Sequence, residues 1–227
     1  MKFFDSLIAD TDKLISSLPQ KSFYKGNAWN DVGHNQVIMR RDAAFELDGV
    51  GFNLVTSQDI TDEIVVVGDD LSEIGDNRRF ARISFVQIDD DADDQKKYNL
   101  IKKIDYVKYH TFPDGYMMRS TSRSHKESVR VSAKAISDGA DFQKIGSLMI
   151  EKYKEVPAVK GVKIIFITCP DADYSETERI AEKNYAIAET LNHVMNSVVF
   201  DCETCNLRAI CDEVEGMKEL HFGKSDN

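Results

Sequence analysis

Apolar residues recur along the chain at two spacings, and each spacing predicts its own kind of element. Between residues 4 and 18 they recur every three or four positions with Asp and Lys between them, which predicts an amphipathic helix. The same spacing predicts helices over residues 95–112 and 141–156. A further long helix is predicted to begin at a capping box formed by Ser175 and Glu178.

Segments rich in β-branched and aromatic residues, bounded by turn-forming residues, predict strands. They are "NQVIMRR" (35–41), "AAFELDGVGFNLVTS" (43–57), "DEIVVVGDD" (62–70) and "RFARISFVQID" (79–89). A strand pair is predicted within 112–132, and the apolar run "VKGVKIIFITCP" (159–170) predicts a strand buried on both faces. We therefore expect an α+β fold, with a mixed or antiparallel sheet and helices packed on one side of it. The predicted domain covers 1–199, and a short C-terminal cysteine-bearing tail covers 200–227.

Composition and charge narrow the range of partners. The chain has 227 residues and a formal net charge of −10, which argues against broad binding to nucleic acid or to an anionic membrane. No apolar run approaches the length of a membrane span, and the first residues lack the apolar core of a signal peptide. We expect a cytoplasmic protein, where clustered cysteines serve a metal or catalysis more often than disulfides.

Three of the four cysteines lie within ten residues, in "CETCNLRAIC". Cys202, Cys205 and Cys211 have the spacing C-x2-C-x5-C, and the two-residue turn between the first two directs both thiolates toward one iron-sulfur cluster or one zinc. Such a site usually has four protein ligands, so Cys169, His221 or a second subunit would supply the fourth, or the cluster would keep one open position. The alternative is that the thiols stay reduced and bind no metal.

From about Asn35 onward, the order of segments resembles the β subunit of the carbon monoxide dehydrogenase/acetyl-CoA synthase complex, in its central domain and the start of its metal-bearing domain. The clearest segments are "VRVSAKAISDGADFQKIGSLMIEKYKEVPAV", "VKIIFITCPD", "ERIAEKNYAIAETLNHV" and "VVFDCETCNLRAIC". The resemblance implies an enzyme that joins a methyl group, carbon monoxide and coenzyme A at a nickel centre bridged to a four-iron cluster. Thiolates suit such a centre because they are soft ligands.

The resemblance assigns roles to the clustered cysteines and also shows departures from the family. Cys202 and Cys205 match the first two family cysteines, with Cys205 at the position that bridges cluster and nickel, and Cys211 matches the third. The following "DEVEGMKELHF" has no fourth cysteine, and the sequence has neither the family's later C-x-C element nor its N-terminal docking domain. The resemblance therefore implies a truncated relative rather than a complete synthase, with a homodimer or a protein of the same complex as its partner.

A basic segment, "YMMRSTSRSHKESVRVS", lies where the family is proposed to hold coenzyme A. Arg119, Arg123, Lys126 and Arg130 are the candidates for its phosphates, because guanidinium groups bind phosphate with paired hydrogen bonds. Ser128 stands about where the family has a tryptophan. The alternative is a strand pair with a solvated basic face.

Two hypotheses about function follow. The first is a stand-alone metal-binding relative of acetyl-CoA synthase in anaerobic C1 metabolism, with an iron-sulfur cluster, zinc or nickel on the clustered cysteines; whether it catalyses a reaction stays open. The second is a non-catalytic binding or partner-docking module that has kept vestigial cysteines and recognises coenzyme A. Hydrolase-type catalysis has little support, since no G-x-S-x-G, H-E-x-x-H or P-loop motif is present.

Overall fold

A mixed β-sheet forms the centre of the molecule in a computed structural model that describes residues 2–89, 94–121, 123–195, 205–217 and 220. Within these residues the strands are β1 (Gln20–Tyr24), β2 (Ala43–Thr56), β3 (Glu63–Val67), β4 (Arg78–Ile88), β5 (Tyr116–Ser120), β6 (Lys126–Ser132) and β7 (Val159–Ile167). Their order across the sheet is β1-β3-β7-β4-β2-β6-β5. The β3–β7 and β2–β4 pairs are parallel and the other neighbours are antiparallel, which confirms the predicted mixed sheet.

Helices precede, separate and follow groups of consecutive strands, with β1 to β4 forming the longest such group, and this arrangement confirms the α+β fold. They are α1 (Asp5–Ile15), α2 (Asp94–Val107), α3 (Ala133–Ser137), α4 (Phe142–Lys154), α5 (Tyr174–Met195) and α6 (Arg208–Glu213), with 3-10 turns at Arg40–Asp42 and Lys108–His110. None of the helices in the described residues is both long enough and apolar enough to cross a bilayer.

Helices cover both faces of the sheet, so the expectation of helices on one side is wrong. On one face α4 approaches β3 and β7 so closely that a Cβ atom on Gly146 would lie 2.6 Å from Cγ1 of Ile64. On the other face Asp5 of α1 accepts a hydrogen bond of 2.8 Å from Thr56 of β2, and α5 contacts β2 and β4. The apolar runs of β4 and β7 are buried residue after residue, so both of their faces require cover.

Two local predictions are wrong, and β1 was not predicted. Residues 35–39 run alongside β5 as an irregular segment, where the Ile38 amide donates to the Met117 sulfur over 3.3 Å instead of pairing in the sheet. At the start of α5 the capping side chain is Asp173, which accepts a hydrogen bond of 3.1 Å from the Glu176 amide, and Ser175 is already inside the helix.

The described part of the tail packs on the helices of the second face. Lys183 of α5 forms an ion pair of 3.0 Å with Glu213 of α6. Val214 and Met217 are buried in the same cluster of apolar residues as the sheet. The domain boundary predicted at 199 and 200 lies outside the described residues and stays a prediction.

Candidate ligand-binding site

A gap beside β2 creates the strongest candidate site. The pairing of β6 with β2 stops at Lys126 opposite Val50, and residues 51–56 of β2 continue with β4 on their other side. Within the described residues α2 and α5 both contact β2, and His125 lies at the point where the β6 pairing stops. The His125 carbonyl accepts a hydrogen bond of 2.7 Å from the Gly51 amide, which fixes the loop to the strand.

His125 has a strained backbone and a buried ring. Its φ of 49° lies in the left-handed region, and it is the one non-glycine residue with positive φ in the described part of the chain. Such conformations persist where the surrounding contacts hold them, and they cluster at functional sites. The side chain is 5% exposed, and its ring centroid lies 5.9 Å from that of Phe52 and 6.1 Å from that of Tyr185.

The His125 ring lines a cavity of about 230 Å³ between α2, α5 and β2, which we call the His125 cavity. Most of its wall is apolar, from Phe4, Val55, Ile101, Ala188 and Leu191 among others. The polar part of the wall includes Asn53, Asp105, Asn184 and Glu189. An apolar cavity with a few convergent polar groups has the usual character of a small-molecule site.

The electrostatic environment keeps the His125 ring neutral. Burial and, after it, the nearby Lys108 ammonium lower the pKa of His125 to about 4, while Asp105 opposes the shift. His125 Nε2 lies 3.1 Å from the Asn184 side-chain nitrogen. With that amide donating, Nε2 is the acceptor and the proton of the neutral ring is on Nδ1. Nδ1 is buried and has no hydrogen-bond partner among the described residues.

A fully buried ion pair lies next to the site. Arg82 of β4 and Glu127 of β6 form two hydrogen bonds of 2.8 Å each, and the pair crosses β2 above Gly51. A Cβ atom on Gly51 would lie 2.0 Å from Oε2 of Glu127, so the glycine leaves the space that the pair occupies. Ser120 also donates to Glu127 over 2.8 Å, and Arg82 donates to Ser84 over 3.0 Å.

The hydrogen bonds continue from this pair to the wall of the His125 cavity. Tyr153 of α4 donates to Asn53 Oδ1 over 2.6 Å and approaches the Ser84 hydroxyl at 3.4 Å. Asn53 in turn donates to the Ile104 carbonyl of α2 over 3.4 Å. We call Ser120, Glu127, Arg82, Ser84, Tyr153 and Asn53 the core network. It holds Asn53 in a fixed orientation at the cavity wall.

The basic residues proposed for coenzyme A lie in different surroundings. Arg119 of β5 lines a separate cavity of about 420 Å³, whereas Lys126 of β6 lines an open groove together with Ser128. Arg130 forms an ion pair of 3.0 Å with Glu46, and Arg123 is exposed in the turn before β6. A coenzyme A site on these four residues stays a prediction.

The structure describes two of the three cysteines of the tail. Cys205 lies on the segment that leads into α6 and Cys211 lies within α6, and both are half-buried. Cys202 and His221 lie outside the described residues. Cys169 is 4% exposed at the end of β7. No three His, Cys, Asp or Glu side chains in the described ranges are placed to hold one metal ion, so Cys169 does not join Cys205 and Cys211. A metal site that includes Cys202 stays a prediction.

The sequence analysis missed the residues that form the His125 cavity and the core network. One signal was present: Arg82 and Ser84 are polar positions on the same face of an otherwise apolar strand. Another was the pair Gly49 and Gly51 within β2, because glycine inside a strand marks a close approach of other atoms. His125 carried no signal of its own.

Comparison with known proteins assigns neither a family nor a function to the chain. No protein-family model matches the sequence, and no curated protein is significantly similar to it. The resemblance to the acetyl-CoA synthase β subunit therefore stays a prediction.

Proposed function

We propose that this protein is a small-molecule-binding module and that the His125 cavity is its ligand site. The observation that carries the proposal is an apolar cavity lined by the His125 ring, whose buried Nδ1–H group has no acceptor among the described residues. Leaving such a group without an acceptor costs free energy, and a ligand acceptor that displaces the ring enough to reach Nδ1 would remove that cost.

The size and character of the cavity define the ligand class. A volume of about 230 Å³ equals the share of roughly eight water molecules in liquid water, which sets the ligand at roughly eight non-hydrogen atoms. The apolar wall favours an aliphatic body, and the neutral ring of His125 favours a carbonyl oxygen as the acceptor. The ligand we propose is a short aliphatic molecule with one carbonyl group.

Titration with 2-hexanone, followed by imidazole ¹⁵N and ¹H resonances, tests the proposal. The sequence has five histidines, and His125→Asn assigns the signal of His125 while keeping a residue that tolerates positive φ. We expect a saturable shift confined to the His125 signal. Ala188→Leu fills the cavity wall and should abolish the shift. Ala133→Leu makes the same chemical change at an exposed position and should leave it intact.

The result that would contradict the proposal is a wild-type His125 signal that 2-hexanone does not move. Equal binding to wild type and to the Ala188→Leu variant would also contradict it, because the molecule would then occupy another site. If calorimetric titration shows that His125→Asn binds 2-hexanone as tightly as wild type, the Nδ1–H donor has no role in recognition.

The clustered cysteines support a second proposal, a metal centre in a stand-alone relative of acetyl-CoA synthase that works in anaerobic C1 metabolism. Its support is the contrast between Cys169, which is sealed in the core, and Cys205 and Cys211, whose side chains are partly open to solvent. The described residues supply these two thiolates, so a cluster would need Cys202 as well. An iron-sulfur cluster would supply redox chemistry.

Metal analysis of protein purified without oxygen tests this second proposal. Iron and acid-labile sulfide in equal amounts, lost in Cys202→Ser and retained in Cys169→Ser, would support a cluster. Zinc alone with the same response would indicate a structural site instead. A folded protein without metal would overturn the proposal.

A further inference from the structure

A groove runs along the outer edge of β5, the last strand of the sheet, and we call it the β5-edge groove. Its volume is about 420 Å³, and residues 35–37 and residues between 108 and 112 form its other walls. Residues 117–120 alternate between the two faces of the sheet, yet the groove touches all four of them. A cavity that touches both faces of an outermost strand lies along its free edge.

Backbone groups of β5 are directed into this groove. The Ser132 amide donates to the Gly115 carbonyl over 2.8 Å, which makes these two opposed residues a hydrogen-bonded pair. Such pairs alternate along an antiparallel ladder, so the odd-numbered residues of β5 bond to β6. Met118 and Ser120 direct their N–H and C=O groups away from β6, and these groups have no hydrogen-bond partner among the described residues.

The groove also has an apolar part that is open to solvent. Val37 is 72% exposed, and Met118 and Phe112 are partly exposed. All three line the groove. A strand added beside β5 would place its own side chains on both faces of the sheet, and an aliphatic side chain on the Met118 face would cover part of this surface.

The exposed charge of the groove is positive. Arg119 is exposed and forms no ion pair with a described residue, and no aspartate or glutamate lines the groove. Ser120 lies opposite Glu127 and donates to it, so the buried Glu127 carboxylate is on the Ser120 face of the sheet. Arg119 projects from the other face. A carboxylate bound beside Arg119 would therefore be separated from Glu127 by the sheet.

We infer that the β5-edge groove binds an extended peptide segment of a partner protein as an added strand, with an aliphatic residue on the Met118 face and an acidic residue beside Arg119. In this mode of recognition main-chain hydrogen bonds supply affinity and alternate side chains supply specificity. Adjacent residues of a strand point to opposite faces, so the aliphatic and acidic residues would be neighbours in the peptide. The site is separate from the His125 cavity and does not depend on the ligand proposed there.

Calorimetric titration of the full chain with the peptide acetyl-Val-Glu-Val-Glu-Val-amide tests the inference. The same peptide with its valine amides N-methylated keeps the side chains but loses backbone donors, and should bind at least about tenfold more weakly. Replacing both glutamates by lysine should weaken binding about threefold, although the net charge of −10 favours a basic peptide overall. Arg119→Glu should remove the preference for the acidic peptide.

Two proline variants locate the peptide. Met118→Pro removes an outward N–H group without removing a bond to β6, and should weaken binding at least about tenfold. The matched control is Ser22→Pro on β1, the other outermost strand, where a bond of 3.1 Å from the Gly68 amide to the Pro19 carbonyl places the Ser22 N–H on the outer edge. Ser22→Pro should leave the affinity unchanged.

Equal affinity of wild type for the peptide and its N-methylated form would overturn the inference, and this comparison does not depend on the folding of any variant. Loss of binding in Ser22→Pro would place the peptide at β1 and overturn it as well. Equal affinity for the acidic and basic peptides would overturn the acidic character of the partner. A wild-type dimer in sedimentation that Met118→Pro dissociates would show that a second copy of the chain, and not a partner protein, occupies the groove.

Discussion

The Arg82–Glu127 pair of the core network and the His125 ring are both buried, yet they differ in how far their hydrogen-bonding capacity is met. Arg82 and Glu127 are inaccessible to solvent, and their hydrogen bonds go to each other, to Ser84 and to Ser120. His125 is nearly as buried, but one of its ring nitrogens has no partner among the described residues and its backbone is strained. Burial alone therefore does not distinguish the two kinds of buried polar group; the difference lies in whether their hydrogen-bonding capacity is met.

The difference between the two regions follows from the strand pairing. The ion pair lies where β4, β2 and β6 are adjacent, and Gly51 opens the space between the outer two strands. His125 lies one residue beyond that region, where the pairing of β6 with β2 has ended and helices close the gap. Side chains on neighbouring strands in register can meet one another's hydrogen-bonding needs, whereas helices packed across a gap leave a cavity.

The largest effect is expected from breaking the core network. Arg82→Met leaves Glu127 as a buried carboxylate without its cation, and removing one partner of a buried ion pair costs about 3–5 kcal/mol. Urea unfolding followed by circular dichroism measures the change in the free energy of unfolding. The double variant Arg82→Met with Glu127→Met should recover much of that loss, because no unpaired charge remains. A single variant as stable as wild type would show that the pair is not buried in solution.

The sequence predicted the elements whose signal is local. β4 and β7 are continuous apolar runs, and α4 has apolar residues at helical spacing, so their type follows from residues close in the chain. The segment 35–41 has strand-like composition, but its neighbour is the Met117 side chain, and no local pattern encodes that contact. Propensity describes which segments suit a sheet, and tertiary contacts decide which of them join it.

The sites were harder to predict because they depend on pairing between distant residues. The predicted strands already contained Arg82 and Glu127, but their contact requires β4 and β6 to flank β2 in one particular register. Asn184 and His125 are 59 residues apart and meet because α5 crosses the end of the β6 pairing. A motif scan finds residues at fixed spacing, which is why it selected the cysteines and overlooked the histidine.

An intermediate effect is expected from protonating His125. Its pKa is lowered from 6.5 to about 4 by folding, so below pH 6.5 the unfolded chain binds a proton that the folded chain does not. The free energy of unfolding therefore falls as the pH decreases from about 6.5 toward 4, by roughly 2 kcal/mol between pH 7 and pH 5 for this residue. Urea unfolding across this pH range measures the slope.

The matched variant for this slope is His125→Asn, which tolerates the positive φ and does not titrate. We expect the free energy of unfolding of this variant to change less between pH 7 and pH 5 than that of wild type. The comparison isolates one residue, since every other titrating group is common to both proteins. Parallel curves for the two proteins would mean that the ring of His125 titrates normally and is not buried as a neutral group.

The smallest effect separates two buried tyrosines that differ in one hydrogen bond. Both rings are almost inaccessible, and burial raises the pKa of both hydroxyls. The Tyr153 hydroxyl donates to Asn53, so Tyr153→Phe should cost about 1–2 kcal/mol, because it also leaves the Asn53 oxygen without its donor. The Tyr116 hydroxyl has no partner among the described residues, so Tyr116→Phe should leave the free energy of unfolding unchanged or raise it by up to about 1 kcal/mol. Urea unfolding of the two variants without ligand measures the difference. Equal losses would mean that the Tyr116 hydroxyl is bonded in solution, and the contrast between satisfied and unsatisfied polar groups would then fail at this tyrosine.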